Sequence, residues 1–199
     1  MHMYCAYMTT SADHVHLDNE ALKVLAHPLR ARLLAALRLQ GPATATDLAR
    51  ELATNSGATS YHLRRLADVG LVVDTGEGDH KRRVWAAGAA LTVVEPSSFD
   101  GDEDAETALG WLSRDWLRHF TEKFGQWLDV QRSWPARWRD AAGMNDAMVV
   151  VTAEQLSTMQ AEIDEVIVRY ARVGQGNPEA KRVAVYTAAY PLDLGTRSR

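Results

Sequence analysis

Residues 44–85 read TATDLARELATNSGATSYHLRRLADVGLVVDTGEGDHKRRVW, and the order of signals within them decides the fold. Thr44 or Thr46 caps a short helix with Leu48, Ala49 and Leu52 facing inward, and Asp47 sits where the positive end of the helix dipole favours an acid. Asn55, Ser56 and Gly57 then make a short polar turn. A second helix runs from about Ala58 to Val69, with Thr59, Leu63 and Leu66 as its buried row and Gly70 as its stop. Leu71-Val72-Val73, a turn at Gly76-Glu77-Gly78-Asp79 and Arg82-Arg83-Val84-Trp85 follow as a β-hairpin with a basic tip. Helix, tight turn, helix, glycine stop and hairpin, in that order, describe a winged helix-turn-helix.

Working outward, Leu22, Leu25 and Ala26 repeat at helical spacing from Asn19. Pro28 then suits the first turn of a helix that carries Leu29, Leu33, Leu34 and Leu37 and ends near Gly41-Pro42. Downstream, Glu95 to Asp104 is rich in Pro, Ser, Gly and acid and reads as a boundary. A long helix comes next, with Leu109, Leu112, Trp116, Phe120, Phe124, Trp127 and Leu128 recurring three or four residues apart. Trp134-Pro135 breaks it, and Met148 to Val151 is a brief strand candidate. Thr152 with Gln155 reads as a capping box opening a helix from Ala153 to Arg172, and Arg182 to Tyr190 alternates as a closing strand. The expected fold is mainly α with a small β component. Residues 1–18 are a flexible lead-in, 19–90 the winged helix-turn-helix, 91–104 a linker and 105–199 a helical dimerisation or effector-sensing region.

Composition sets the broad class. A hydrophobic fraction of 46% supports a core without staples. A single cysteine, Cys5, excludes a disulfide framework and a Cys-x-x-Cys zinc site, which favours the reducing cytoplasm. There is no apolar run long enough to span a membrane, and Met1 to Thr10 lacks the marks of a secretory signal. The net charge of -4 is unevenly spread: residues 21–88 carry ten Lys or Arg against six acids, whereas residues 89–199 carry twelve against seventeen. Phosphate attraction is therefore confined to the middle of the chain. No Gly-rich phosphate loop, nucleophile elbow or His-x-x-x-His pair points to an enzyme, and no cofactor is expected. The Asp102, Glu103, Asp104 and Glu106 cluster reads as a solvated acidic segment.

These features point to double-stranded DNA. A recognition helix enters the major groove, where every base pair shows a distinct donor and acceptor pattern. With Thr59, Leu63 and Leu66 inward, the outer face presents Ser56, Gly57, Ser60, Tyr61 and Arg64, and Arg64 has the fork that suits guanine. His62 and Arg65 on the flanks suit phosphates, Thr59 of the buried row is also counted in the contact set, and His80, Lys81, Arg82 and Arg83 at the wing tip reach the backbone or the minor groove. The rival reading of a polar face is a solvated surface, and a winged helix used as a protein-interaction module would carry an apolar face there instead. It is the conjunction of signals that favours DNA.

Leu25-Ala26-His27-Pro28-Leu29-Arg30, Leu48-Ala49-Arg50-Glu51-Leu52, Thr59-Ser60-Tyr61-His62-Leu63-Arg64-Arg65-Leu66 and Gly70-Leu71-Val72 together resemble the ArsR-type winged-helix regulators, especially an actinobacterial subgroup with a Trp-rich second half. The resemblance is specific over residues 20–87, and it implies a homodimer on a palindromic operator, acting as a repressor released by a small signal. It departs from the metal-sensing members, because Thr46 to Ala53 holds neither cysteine nor histidine. His2, Cys5, His14 and His16 lie in a segment without expected structure to hold metal-ligand geometry. The aromatic face of Leu112, Trp116, Phe120, Phe124 and Trp127 admits three readings: a domain core, a dimer interface, or the wall of a small-molecule effector pocket beside Arg114, Arg118 and Lys123.

Overall fold

Asp18 opens the first helix by accepting the Ala21 amide at 2.8 Å, and from that cap the chain builds a helical corner. The computed structural model describes residues 14–78 and 82–192. Helix α1 (Asn19–Leu25) is followed, after one turn, by α2 (Pro28–Gln40), with Pro28 in its first turn and His27 as its cap. Strand β2 (Ala43–Thr44) leads into α3 (Ala45–Glu51), and α4 (Ser56–Asp68) follows. Strands β3 (Val72–Asp74) and β4 (Val84–Ala87) form the antiparallel wing, with Val72 opposite Ala87 and Asp74 opposite Trp85. A third strand joins it: Ala43 of β2 pairs with Trp85 and Thr44 with Val84. The fold is thus α+β, mainly helical with short strands, as the sequence pattern requires.

Leu22, Leu25, Leu33, Leu37, Leu48, Leu63, Leu66, Leu71, Val72 and Trp85 are buried in one cluster beneath the three-stranded sheet and the helical corner. Gly70 has φ +73 and ends α4, a backbone region that costs other residues about 1 kcal/mol or more. A Cβ on Gly88 would lie 2.3 Å from the Gly70 carbonyl oxygen, so this crossing closes only without a side chain. Arg38 of α2 is half-buried; it donates to the Ala89 carbonyl at 3.2 Å and to Thr92 Oγ1 at 2.6 Å, and desolvation brings its pKa down to about 10.

Three expectations need correction. The lead-in does not run unstructured to residue 18: β1 (His14–His16) pairs in parallel with β5 (Leu91–Val93), and Leu17 is buried. Nor are residues 91–104 a simple linker. Besides β5 they contain a 3-10 turn, Pro96–Phe99, whose Phe99 is 1% exposed in the same core as Leu22. Asp102 then caps α5 (Glu103–Val130) while accepting from Lys23 of α1 at 2.8 Å. The physical reason is that a single aromatic side chain, rather than a periodic pattern, fastens this segment. The third correction concerns the strands expected at Met148–Val151 and Arg182–Tyr190, which do not form; an extended stretch becomes a strand only beside a partner, and neither has one among the described residues.

Beyond α5 come a short 3-10 turn, α6 (Ala136–Ala141) and α7 (Ala153–Tyr170). The capping box is present: Thr152 Oγ1 accepts the Gln155 amide at 3.2 Å, and Gln155 Oε1 accepts the Thr152 amide at 2.9 Å. No residue of α7 is buried. No helix among the described residues is long and apolar enough to cross a membrane.

Candidate nucleic-acid interface

Thr44, not Thr46, caps α3 by accepting the Asp47 amide at 3.2 Å, and its hydroxyl donates to the Asp47 carboxylate at 2.6 Å. That hydroxyl bond, chiefly, holds the Asp47 carboxyl below its ordinary range. The turn between α3 and α4 depends on Ala53, which takes φ +51, a left-handed conformation uncommon for a residue with a Cβ. Asn55 then caps α4 by accepting the Ala58 amide at 2.7 Å, so Ser56 and Gly57 belong to the first helical turn rather than to the connecting loop.

Helical spacing from the sealed residues Thr59, Leu63 and Leu66 leaves Gly57, Tyr61 and Arg64 on the opposite, exposed face, with Ser56 exposed and Ser60 half-buried at its edge. Arg64 has no ion pair among the described residues. Thr59 is the exception in the expected contact set: it is fully buried and its hydroxyl donates to the Asn55 carbonyl at 3.0 Å, which takes it out of reach of DNA. Arg65 sits on the flank of α4, paired with Asp68 at 3.2 Å. At the wing, Arg83 lies 3.5 Å from the Asp74 carboxylate and over the Trp85 ring at 5.9 Å, while Arg82 is exposed. His80 and Lys81 lie outside the described residues.

His62 occupies a place the sequence did not reveal. Its ring is half-buried against His27, centroid to centroid 4.6 Å, and its Nδ1 is sealed without a hydrogen-bond partner among the described residues. His27 Nδ1 accepts the Leu29 amide at 3.2 Å, which requires that nitrogen to be unprotonated. Desolvation, then the positive charge of Arg30, lowers the His27 pKa; desolvation, then His27 and Arg30, lowers that of His62. Both bases therefore take up protons in the unfolded chain before the folded one. Their contribution to stability is present above pH 6.5 and is lost as pH falls below it. The urea midpoint should drop between pH 7.5 and 5.5, and His62→Leu should flatten that drop; a wild-type midpoint unchanged over this range would rule the effect out.

With this geometry in place, one family model matches part of the chain. Residues 25–75 match the family model of a helix-turn-helix domain. No curated protein matches the chain. The helix-turn-helix match begins at the last residue of α1 and ends just beyond β3, so it contains α3, α4 and the turn at Ala53. It suggests a DNA-binding regulator.

Proposed function

We propose that the protein is a cytoplasmic, homodimeric transcriptional repressor of the ArsR-like kind, which reads a palindromic operator through the major groove. The observation that carries this reading is the outer face of α4, where Tyr61 and Arg64 stand exposed on a helix whose other side is locked into the core. Arg64, without an acid partner among the described residues, has the planar fork for guanine; Tyr61, Ser60 and Ser56 supply further hydrogen-bonding groups. Arg82 and Arg83, with His80 and Lys81, provide backbone or minor-groove contacts from the wing. The direction of control follows the resemblance to repressors.

The second half supports dimerisation. Leu112 is fully buried in the chain's own core and is spent there, but Trp116, Phe120, Phe124 and Trp127 of α5 are only half-buried. Phe120 stacks on Phe124 at 5.5 Å and meets Tyr186 at 5.1 Å. Extended residues Met148, Val150, Val183 and Val185 are each at least 60% exposed. A second copy would cover these surfaces and set two recognition helices one turn of DNA apart.

Selection of genomic fragments with the purified protein tests the whole reading, and an enriched inverted repeat is the expected result. On that repeat, Arg64→Ala should weaken binding about 5- to 150-fold and relax preference at one or two base pairs. Lys81→Ala should weaken all sequences alike and reduce the salt slope by about one. Equal losses on operator and random duplex for both variants would overturn the division between groove and backbone contacts, and absence of any enriched repeat would favour a protein-interaction module.

A further inference from the structure

Beside α4, on the flank that carries His62 and Arg65, an open cleft of about 410 Å³ lies between α1, α2 and α4. Its walls are Asn19, Glu20, Lys23, Val24, Arg30 and Arg65: three cations and one acid. Two of the cations already have partners. Lys23 meets Asp102 at 2.8 Å and Arg65 meets Asp68 at 3.2 Å, both in exposed pairs of the weak, exchangeable kind.

Arg30 is different. No carboxylate pairs with it among the described residues, and its Nη2 reaches only the Lys23 carbonyl, at 3.5 Å. Its Nε is sealed from solvent without an acceptor among the described residues, and Nδ1 of the neighbouring His62 is likewise sealed without a partner there. Burial and the charge of Arg65 both oppose the Arg30 cation. Its position adds a further cost: it stands in the first turn of α2, which holds no acid, where the helix dipole disfavours positive charge. Arg30 thus stands in a cleft whose one lining acid, Glu20, is not bonded to it, and an anion with several acceptor oxygens would supply the partners that its fork lacks.

We propose that this cleft binds a phosphate group through Arg30 and Arg65, with Lys23 at its rim, and that the phosphate is one of the DNA backbone bordering the groove that α4 reads. The proposal rests on the DNA-binding reading above for the source of the phosphate. Arg65 lies one residue along α4 from Arg64, turned toward α2, so a backbone strand flanking the groove passes the mouth of the cleft. The guanidinium fork matches phosphate oxygens bidentately, and such a contact fixes register without reading sequence.

The test uses the full chain as wild type, Arg30→Gln, Arg30→Lys and Arg64→Ala, with the selected operator and a random duplex of equal length, at 50 to 200 mM KCl. Arg30→Gln should weaken both duplexes by the same factor, about 10-fold at the lowest salt, and shallow the salt slope by about one, while Arg30→Lys keeps the slope. If Arg30→Gln does not fold, Arg65→Gln from the opposite wall carries the same expectation. A parallel titration with inorganic phosphate at fixed ionic strength separates the sources. Thermal stabilisation of wild type but not Arg30→Gln, together with displacement of DNA, would assign the cleft to a free phosphate and overturn the backbone assignment. A folded Arg30→Gln with unchanged slope and no phosphate response would overturn the cleft itself; if Arg64→Ala still loses discrimination, the DNA-binding reading stands. Failure of wild type to bind any duplex would remove that reading, and the phosphate titration then decides the cleft alone.

Discussion

Ile163→Asp is expected to run as a monomer in solution and to bind the operator at least about 100-fold more weakly than wild type. Leu156, Met159, Ile163 and Ile167 recur three or four residues apart along α7, and all four are half-buried, none fully. An isolated helix of this length is marginal in water, so its order depends on covering the stripe. On the proposed reading the occupant is a second copy of the chain, which also serves a two-fold operator. An aspartate at the centre of that stripe places an unpaired charge in the contact, which costs more than the contact returns. Because α7 contributes nothing to the cluster around Leu22 and Leu63, the winged helix should keep its melting temperature while each copy binds a half-site alone. Loss of the second site removes the avidity that raises affinity by about 10² to 10⁴. Light scattering and operator titration decide the matter: a wild type that is already monomeric, or a variant that remains dimeric with full affinity, sinks the proposal.

The parts of this molecule legible in the sequence are those whose causes are local. Pro28, Gly70 and the Thr152–Gln155 box act within a turn of themselves, and the helices they bound stand within two or three residues of expectation. The exposed face of α4 was legible for the same reason, since Leu63 and Leu66 fix which side is buried. What escaped depends on distant partners. His14 pairs with Leu91 across more than seventy residues, and three-residue strands carry too little pattern to announce such a pairing. The stack of His62 on His27 joins two helices whose packing no period encodes. Ala53 at φ +51 was hidden because glycine or asparagine usually marks that conformation. Thr59 was a buried residue that also looked like a contact; its bond to the Asn55 carbonyl resolves the ambiguity. The expected strands at Met148–Val151 and Arg182–Tyr190 had strand-like composition but no neighbour within the chain.

Phe99→Ala should destabilise the protein by about 3–5 kcal/mol, against an exposed neighbour, Ser97→Ala, that should stay within about 0.5 kcal/mol. Phe99 is 1% exposed, and its cluster includes Ala105 and Leu112 of α5 together with Leu22 and Leu25 of α1. Removing the ring forfeits its transfer energy and leaves a cavity that a 3-10 turn fixed between β5 and α5 is poorly placed to fill. Domains are stable by only about 5–15 kcal/mol, so the loss takes a large share of the total. Urea unfolding of the two variants measures it, and a cost below about 1 kcal/mol for Phe99→Ala would place the side chain outside the core. The consequence reaches the DNA-binding half. Asp102, bonded to Lys23, and Phe99 together make the first turns of α5 a structural part of the winged helix. A fragment ending at residue 90 would therefore uncover the side of α1 that α5 packs against, and with it part of the support for the corner that orients α4.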